Sequence, residues 1–85
     1  MKSLHDRAYE KLVSALKDAR LGANVTQAEL AGRIDADQSY VSKYERCERR
    51  LDYVELRAIC LALGVDPVKF IKAFEEDLKD DGGKR

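Results

Sequence analysis

Residues 26–45 read TQAELAGRIDADQSYVSKYE, and this stretch decides the fold. Thr26-Gln27-Ala28-Glu29 has the form of a capping box, in which the Thr hydroxyl accepts from the amide of Glu29 and the Glu carboxylate accepts from the amide of Thr26. A helix therefore starts here, with Ala28, Leu30, Ala31 and Ile34 as its apolar residues. It stops at Ile34, because Asp35-Ala36-Asp37 supplies two residues suited to turns and caps. Asp37 is placed to cap a further helix from Gln38 to about Arg46. Val41 and Tyr44 form its buried side, while Gln38, Ser39, Ser42 and Lys43 face outward. The stretch is thus two short helices around a tight turn, apolar within and polar without.

Upstream, Ser3 can cap a first helix with Asp6 in its opening turn, and Ala8, Leu12, Leu16 and Ala19 recur on one face. That helix is expected to end near Gly22 or Ala23, with Asn24 in the left-handed conformation. Downstream, Cys47 to Leu51 reads as a charged loop carrying Glu48, Arg49 and Arg50. Asp52-Tyr53-Val54-Glu55 repeats the capping-box pattern and opens a fourth helix with Leu56, Ile59, Cys60 and Leu63 as its stripe and Gly64 as its terminator. Asp66-Pro67 opens a fifth, since proline suits the first helical position. Its apolar residues are Val68, Phe70, Ile71, Phe74 and Leu78. The expected architecture is all-α and five-helical, one domain over residues 1–79 with its core at about 12–70, followed by a flexible tail at 80–85.

Composition excludes several classes. With 45% hydrophobic and 38% charged residues, one proline and five glycines, the 85-residue chain has the make-up of a helical domain rather than an all-β one. No apolar run is long enough to span a bilayer and the first residues, MKSLHDRAYEK, lack the apolar stretch of a secretory signal, so a cytoplasmic location is expected. Cys47 and Cys60 fit no zinc spacing and His5 is the only histidine, so no metal and no cofactor are expected. Cys60 reads as a small buried hydrophobe and Cys47 as an accessible thiol in a charged loop. No nucleophile–base constellation points to an enzyme; Glu75-Glu76 suits a solvated face.

Net charge is zero, 16 basic against 16 acidic residues, where a nucleic-acid ligand would favour a basic chain. The distribution is uneven. Met1 to Arg20 holds five basic and three acidic residues, Lys43 to Arg50 four and two, and Glu75 to Arg85 three and five. Two helices joined by a three- or four-residue turn, the second rich in exposed hydrogen-bonding side chains, suit placement of that second helix in the major groove of DNA, about 12 Å wide. Ala31 offers the small residue needed where the helices cross. The start of the second helix, at Thr26 and Gln27, offers N–H groups to phosphates.

Arg20, Thr26-Gln27-x-Glu29-Leu30-Ala31, Val41-Ser42-x-Tyr44-Glu45, Arg49-Arg50 and Leu63-Gly64-Val65 together resemble the Xre-type helix-turn-helix domain of phage repressors and Cro, over roughly Leu12 to Phe70. The resemblance implies a compact five-helix, lambda-repressor-like DNA-binding domain that binds palindromic double-stranded operator DNA, usually as a symmetric homodimer, and regulates transcription, repression being the expected mode. It implies base contacts by Gln38, Ser39 and Lys43, whose side chains suit adenine and guanine edges. Phosphate contacts fall to Thr26 and Gln27, helped by Ser42, Arg46, Arg49 and Arg50, with Tyr40 in either group. Arg20 and Glu45 match a structural ion pair between the first helix and the end of the third. Two positions depart from the family pattern: Asp35 in the turn and Cys47 in the loop stand where glycine is usual, so a less regular turn and an altered loop are expected.

Ile71, Phe74 and Leu78 on the fifth helix are the candidate dimer seam, with core packing under the first and fourth helices as the alternative. The competing function is a protein-interaction adaptor or an antitoxin that docks a protein partner through the fifth helix and the acidic tail, which the neutral charge supports.

Overall fold

Four helix ends in this protein are closed by the same backbone device, and those closures set the angles between the helices. The computed structural model describes residues 6–82, with α1 spanning Arg7–Gly22, α2 Gln27–Arg33, α3 Gln38–Glu45, α4 Tyr53–Ala62 and α5 Pro67–Gly82. After each of the first four helices one residue takes positive φ: Asn24 at 62°, Asp35 at 58°, Cys47 at 60° and Gly64 at 74°. The amide of the next residue then reaches back five positions. Val25 donates to the Arg20 carbonyl at 3.2 Å, Ala36 to Ala31 at 2.8 Å, Glu48 to Lys43 at 2.8 Å and Val65 to Cys60 at 2.8 Å. This is the Schellman closure, which satisfies carbonyls that a helix end would leave unbonded.

Helix starts are equally defined. Thr26 Oγ1 accepts from the Glu29 amide at 3.0 Å while Glu29 Oε1 accepts from the Thr26 amide at 2.8 Å. Asp52 and Glu55 repeat the exchange at 2.8 and 2.9 Å. Asp66 Oδ1 accepts from the Val68 amide at 2.9 Å, opening α5 beside Pro67. At the head of α1 the cap is Asp6, whose Oδ1 accepts from the Ala8 amide at 2.9 Å, not a residue within the first turn. The cap expected at Ser3 lies outside the described residues. Asp37 holds the cap position of α3 without a side-chain bond to it, a correction to the expectation; its carbonyl accepts from the Tyr40 amide at 3.0 Å.

The core gathers Leu16, Val25, Leu30, Ala31, Val41, Tyr44, Leu56, Ile59, Cys60 and Leu63, with Phe70 and Ile71 packed on its α5 side. The α1 stripe is rotated from the expected one. Tyr9, Val13, Leu16 and Arg20 are the buried residues, whereas Ala8, Leu12 and Ala19 lie at the margins. Hydropathy alone passes over tyrosine and arginine, which here turn inward because each finds polar partners. Ala28 and Val68, counted among the apolar residues of their helices, are exposed. The Tyr44 ring is fully buried at the centre, and its hydroxyl meets no partner among the described residues.

Cys47 is the main correction. The side chain is buried with Tyr9 and Val13 in a second, smaller cluster, and burial together with the nearby Glu10 pushes its thiol up from the ordinary value. A left-handed non-glycine residue costs about 1 kcal/mol, which this burial offsets. Both cysteines are free and buried, so the accessible thiol expected in this loop is absent. The last helix, α5, continues through Asp80 and Asp81 to Gly82. Among the described residues no helix is long and apolar enough to cross a membrane.

The capping carboxylates make stability acid-sensitive. Hydrogen bonds from the Thr26 and Asp52 amides hold Glu29 and Glu55 below the usual carboxylate range. A depressed folded-state pKa contributes stability that is present above the unfolded value, about 4.3, and is lost as pH falls through the folded one. The melting temperature is expected to fall as pH drops below about 4. Glu29→Ala with Glu55→Ala should melt lower at pH 7 and show a shallower acid loss, as followed by circular dichroism. An unchanged acid slope would assign the loss to other carboxylates.

Candidate nucleic-acid interface

A buried ion pair underlies the exposed face of α2 and α3. Arg20 donates from Nε to Glu45 Oε2 at 2.8 Å and from Nη2 to Oε1 at 3.0 Å, and its third donor, Nη1, reaches the Val25 carbonyl at 2.9 Å. The side chains are 8% and 3% exposed, so a full set of partners decides whether the charges are tolerated. Hydrogen bonding to Glu45 raises the Arg20 pKa further, which keeps the guanidinium charged. The three groups lie on α1, on the connection into α2 and at the end of α3. The pair therefore locks the angle of α3 against the rest of the molecule.

From that pair a chain of amides leads outward. Gln27 donates from Nε2 to Glu45 Oε1 at 3.0 Å, and Gln38 donates from Nε2 to Gln27 Oε1 at 3.4 Å. Gln27 at the head of α2 and Gln38 at the head of α3 are thus brought together and oriented from within. Thr26, beside them, is exposed, but its amide is already bonded to Glu29 and so is not the open donor expected there.

Further along α3, Ser39, Tyr40 and Lys43 border a shallow cleft whose far wall is Arg49. Ser39 and Lys43 are exposed, and Tyr40 is half-buried. The Tyr40 ring stands edge-on to Tyr44 with centroids 5.9 Å apart, and the Arg49 guanidinium lies 4.7 Å above its centroid. Burial and the adjacent Glu55 push the Tyr40 phenol up to about 12, so it remains a hydrogen-bond donor at neutral pH. Ser42 is bonded to the Arg46 guanidinium.

The arginines of this face are matched by carboxylates. Arg46 pairs with Glu48 at 3.0 Å, Arg49 with Glu55 at 2.9 Å, and Arg50 approaches Asp6 at 3.8 Å. Glu48, Glu55, Asp6 and Tyr9, which sequence did not mark as site residues, are the partners of these arginines. Glu48 lies two residues from Arg46 and Glu55 six from Arg49, whereas Asp6 and Tyr9 come from distant positions in the chain. Such partly exposed pairs are screened by solvent and contribute little to stability. No group of three or more His, Cys, Asp or Glu able to hold a metal is present among the described residues.

Comparison with known proteins fits this geometry. The helix-turn-helix family model matches residues 16–70. An XRE-family-like protein from Pseudomonas syringae pv. tomato str. DC3000 is 42% identical, with a TM-score of 0.81 over 85% of this chain and 88% of that one. The restriction-modification controller protein C.Esp1396I, in the structure of its tetramer in complex with its natural 35 base-pair operator, is 30% identical, with a TM-score of 0.75 over 82% of this chain and 92% of that one. The clp gene regulator ClgR from Corynebacterium glutamicum is 25% identical, with a TM-score of 0.75 over 91% and 82% of the two chains. Among curated protein sequences none matches.

Removing one member of the buried pair strands the other. Arg20→Ala is expected to destabilise the protein by about 3–5 kcal/mol, which in a domain this small lowers the melting temperature by more than about ten degrees. Thermal unfolding of the purified variant measures this, and a shift of a degree or two would show that Glu45 is not dependent on Arg20.

Proposed function

As the chain belongs to the XRE-type helix-turn-helix family, we propose that it lays α3 in the major groove of a specific DNA duplex and regulates transcription from that site, with repression by occupancy as the mode. The observation that carries this reading is the amide chain Arg20–Glu45–Gln27–Gln38. It presents two glutamines, already oriented, at the heads of α2 and α3. Gln38, Ser39 and Lys43 are assigned to base edges, where Gln suits adenine N6 and N7 and Lys suits guanine O6 and N7. Gln27, Ser42, Arg46, Arg49 and Arg50 are assigned to phosphates, with Thr26 contributing its exposed side chain and Tyr40 its phenol. The chain acts where the DNA is, in the cytoplasm.

Net neutrality is compatible with this assignment. Glu48, Glu55 and Asp6 sit against the arginines of the reading face, where weak pairs keep the side chains in place until phosphates replace the carboxylates. The low net charge then limits binding to unrelated DNA and leaves recognition to α3.

A homodimer on a palindromic operator completes the reading, since one small neutral module contacts too few phosphates for tight binding. The relative C.Esp1396I, described as a tetramer on its operator, supports assembly on DNA. Ile71 is packed on the core and gives the seam only an edge, while Phe74 and Leu78 are half-buried. Leu61, in the last turn of α4, and Val68, in the first turn of α5, are large apolar residues left 52% and 71% exposed. We place the seam there, with Phe74 and Leu78 at its flank.

Selection of bound duplexes from a random pool tests the function. A recovered palindrome is expected, and Gln38→Ala should relax the preference at one position in each half-site at a cost of about 1–3 kcal/mol. Recovery of no sequence would reject specific DNA binding. For the seam, Leu61→Asp is expected to sediment as a folded monomer and to lose affinity for the full palindrome while still binding a half-site weakly. An unchanged dimer would move the seam elsewhere.

A further inference from the structure

The loop that carries Arg49 and Arg50 between α3 and α4 is held by a residue from the far end of the chain. Tyr9, on the first turn of α1, is 5% exposed, and its hydroxyl makes two bonds to this loop. It donates to the Arg49 carbonyl at 2.9 Å and accepts from the Leu51 amide at 3.1 Å, bracketing residue 50. The face of the same ring carries the Arg50 guanidinium 4.5 Å from its centroid. Val13 and Cys47 pack beside it, and Cys47 is the left-handed residue that turns the chain out of α3. Desolvation pushes the Tyr9 phenol up from its ordinary value, so the hydroxyl keeps the proton it donates.

We propose that Tyr9 is the positioning residue of the basic loop: its hydroxyl pins the backbone on both sides of Arg50, and its ring sets the direction of the Arg50 side chain, so that α1 governs the aim of Arg49 and Arg50 at the DNA backbone without touching DNA. The proposal rests on the DNA-binding reading above and adds a residue to it. Tyrosine is required by the chemistry. A phenylalanine would keep the ring packing and the cation–π contact, and would remove the hydroxyl that partners a part-buried carbonyl and a part-buried amide. Arg49 transmits the constraint further, because it spans from the loop to the Tyr40 ring on α3 and to Glu55 on α4. Fixing the loop therefore fixes the wall opposite α3.

Tyr9→Phe in the full chain is the test, read in two ways. In the free protein, hydrogen exchange of the Leu51 amide is expected to accelerate at least roughly tenfold while the interior amides of α4 keep their protection. On its selected duplex, affinity is expected to fall roughly tenfold, with the slope of log K against log salt shallower by about one to two, and with the preference for that duplex over a scrambled one retained. In an Arg49→Gln, Arg50→Gln background the same substitution should cost no further affinity. Unchanged Leu51 exchange would overturn the pin. Lost affinity with an unchanged salt slope, or an equal loss in the double-arginine background, would reduce Tyr9 to a general packing role. If the unsubstituted protein binds no duplex at all, the DNA reading fails, and the Leu51 exchange still decides whether Tyr9 holds the loop.

Discussion

The interaction on which most of the molecule depends is the pair between Arg20 and Glu45. Charges that are 8% and 3% exposed are tolerated only when they are well partnered, and here each of the three guanidinium nitrogens has an acceptor. Arg20 spends its fork on Glu45 and its remaining donor on the Val25 carbonyl, so one side chain ties α1, the entry to α2 and the last residue of α3. The leftover accepting capacity of Glu45 goes to Gln27, and through it to Gln38. A structural ion pair and the glutamines at the heads of α2 and α3 are thus parts of one network. A rigid support of this kind suits the role proposed for α3, because a side chain that must find one base edge gains from being held before contact.

The second constraint is the repeated helix closure. Packing five helices in 85 residues leaves connections of four to seven residues, and each must redirect the chain without leaving buried carbonyls unbonded. Asn24, Asp35, Cys47 and Gly64 all solve this with positive φ, although only one is glycine. Asn and Asp tolerate the conformation through their short polar side chains. Cys47 does not have that advantage, and is held because its side chain is the floor of the cluster that contains Tyr9. The departures from the family pattern at Asp35 and Cys47 therefore leave the turn and the loop regular.

The charge balance takes on a different meaning in three dimensions. Sixteen acidic residues against sixteen basic ones argue against a nucleic-acid ligand when counted along the chain. In the fold, Asp6, Glu48 and Glu55 are seen to stand against Arg50, Arg46 and Arg49, at distances where the pairs orient the arginines at little energetic gain. Other acidic residues lie on α5, where Asp77 bonds Lys11 at 3.0 Å and ties that helix to α1.

Sequence alone determined the helices, because their signals are local: the capping boxes at Thr26–Glu29 and Asp52–Glu55, the Asp66-Pro67 start and the apolar spacings within α3 and α4 each involve residues within a few positions of one another. It also marked Gln27, Gln38, Ser39 and Lys43 through the family pattern, and Arg20 with Glu45 as its pair. What only the tertiary structure decided depends on contacts between residues far apart in the chain. Tyr9 meets Leu51 across 42 positions, Asp6 meets Arg50, and Cys47 is buried although Arg46 and Glu48 on either side of it are charged. No periodicity records such contacts, since the partners belong to different helices, and the inward turn of Tyr9 and Arg20 is favourable only once those partners are in place.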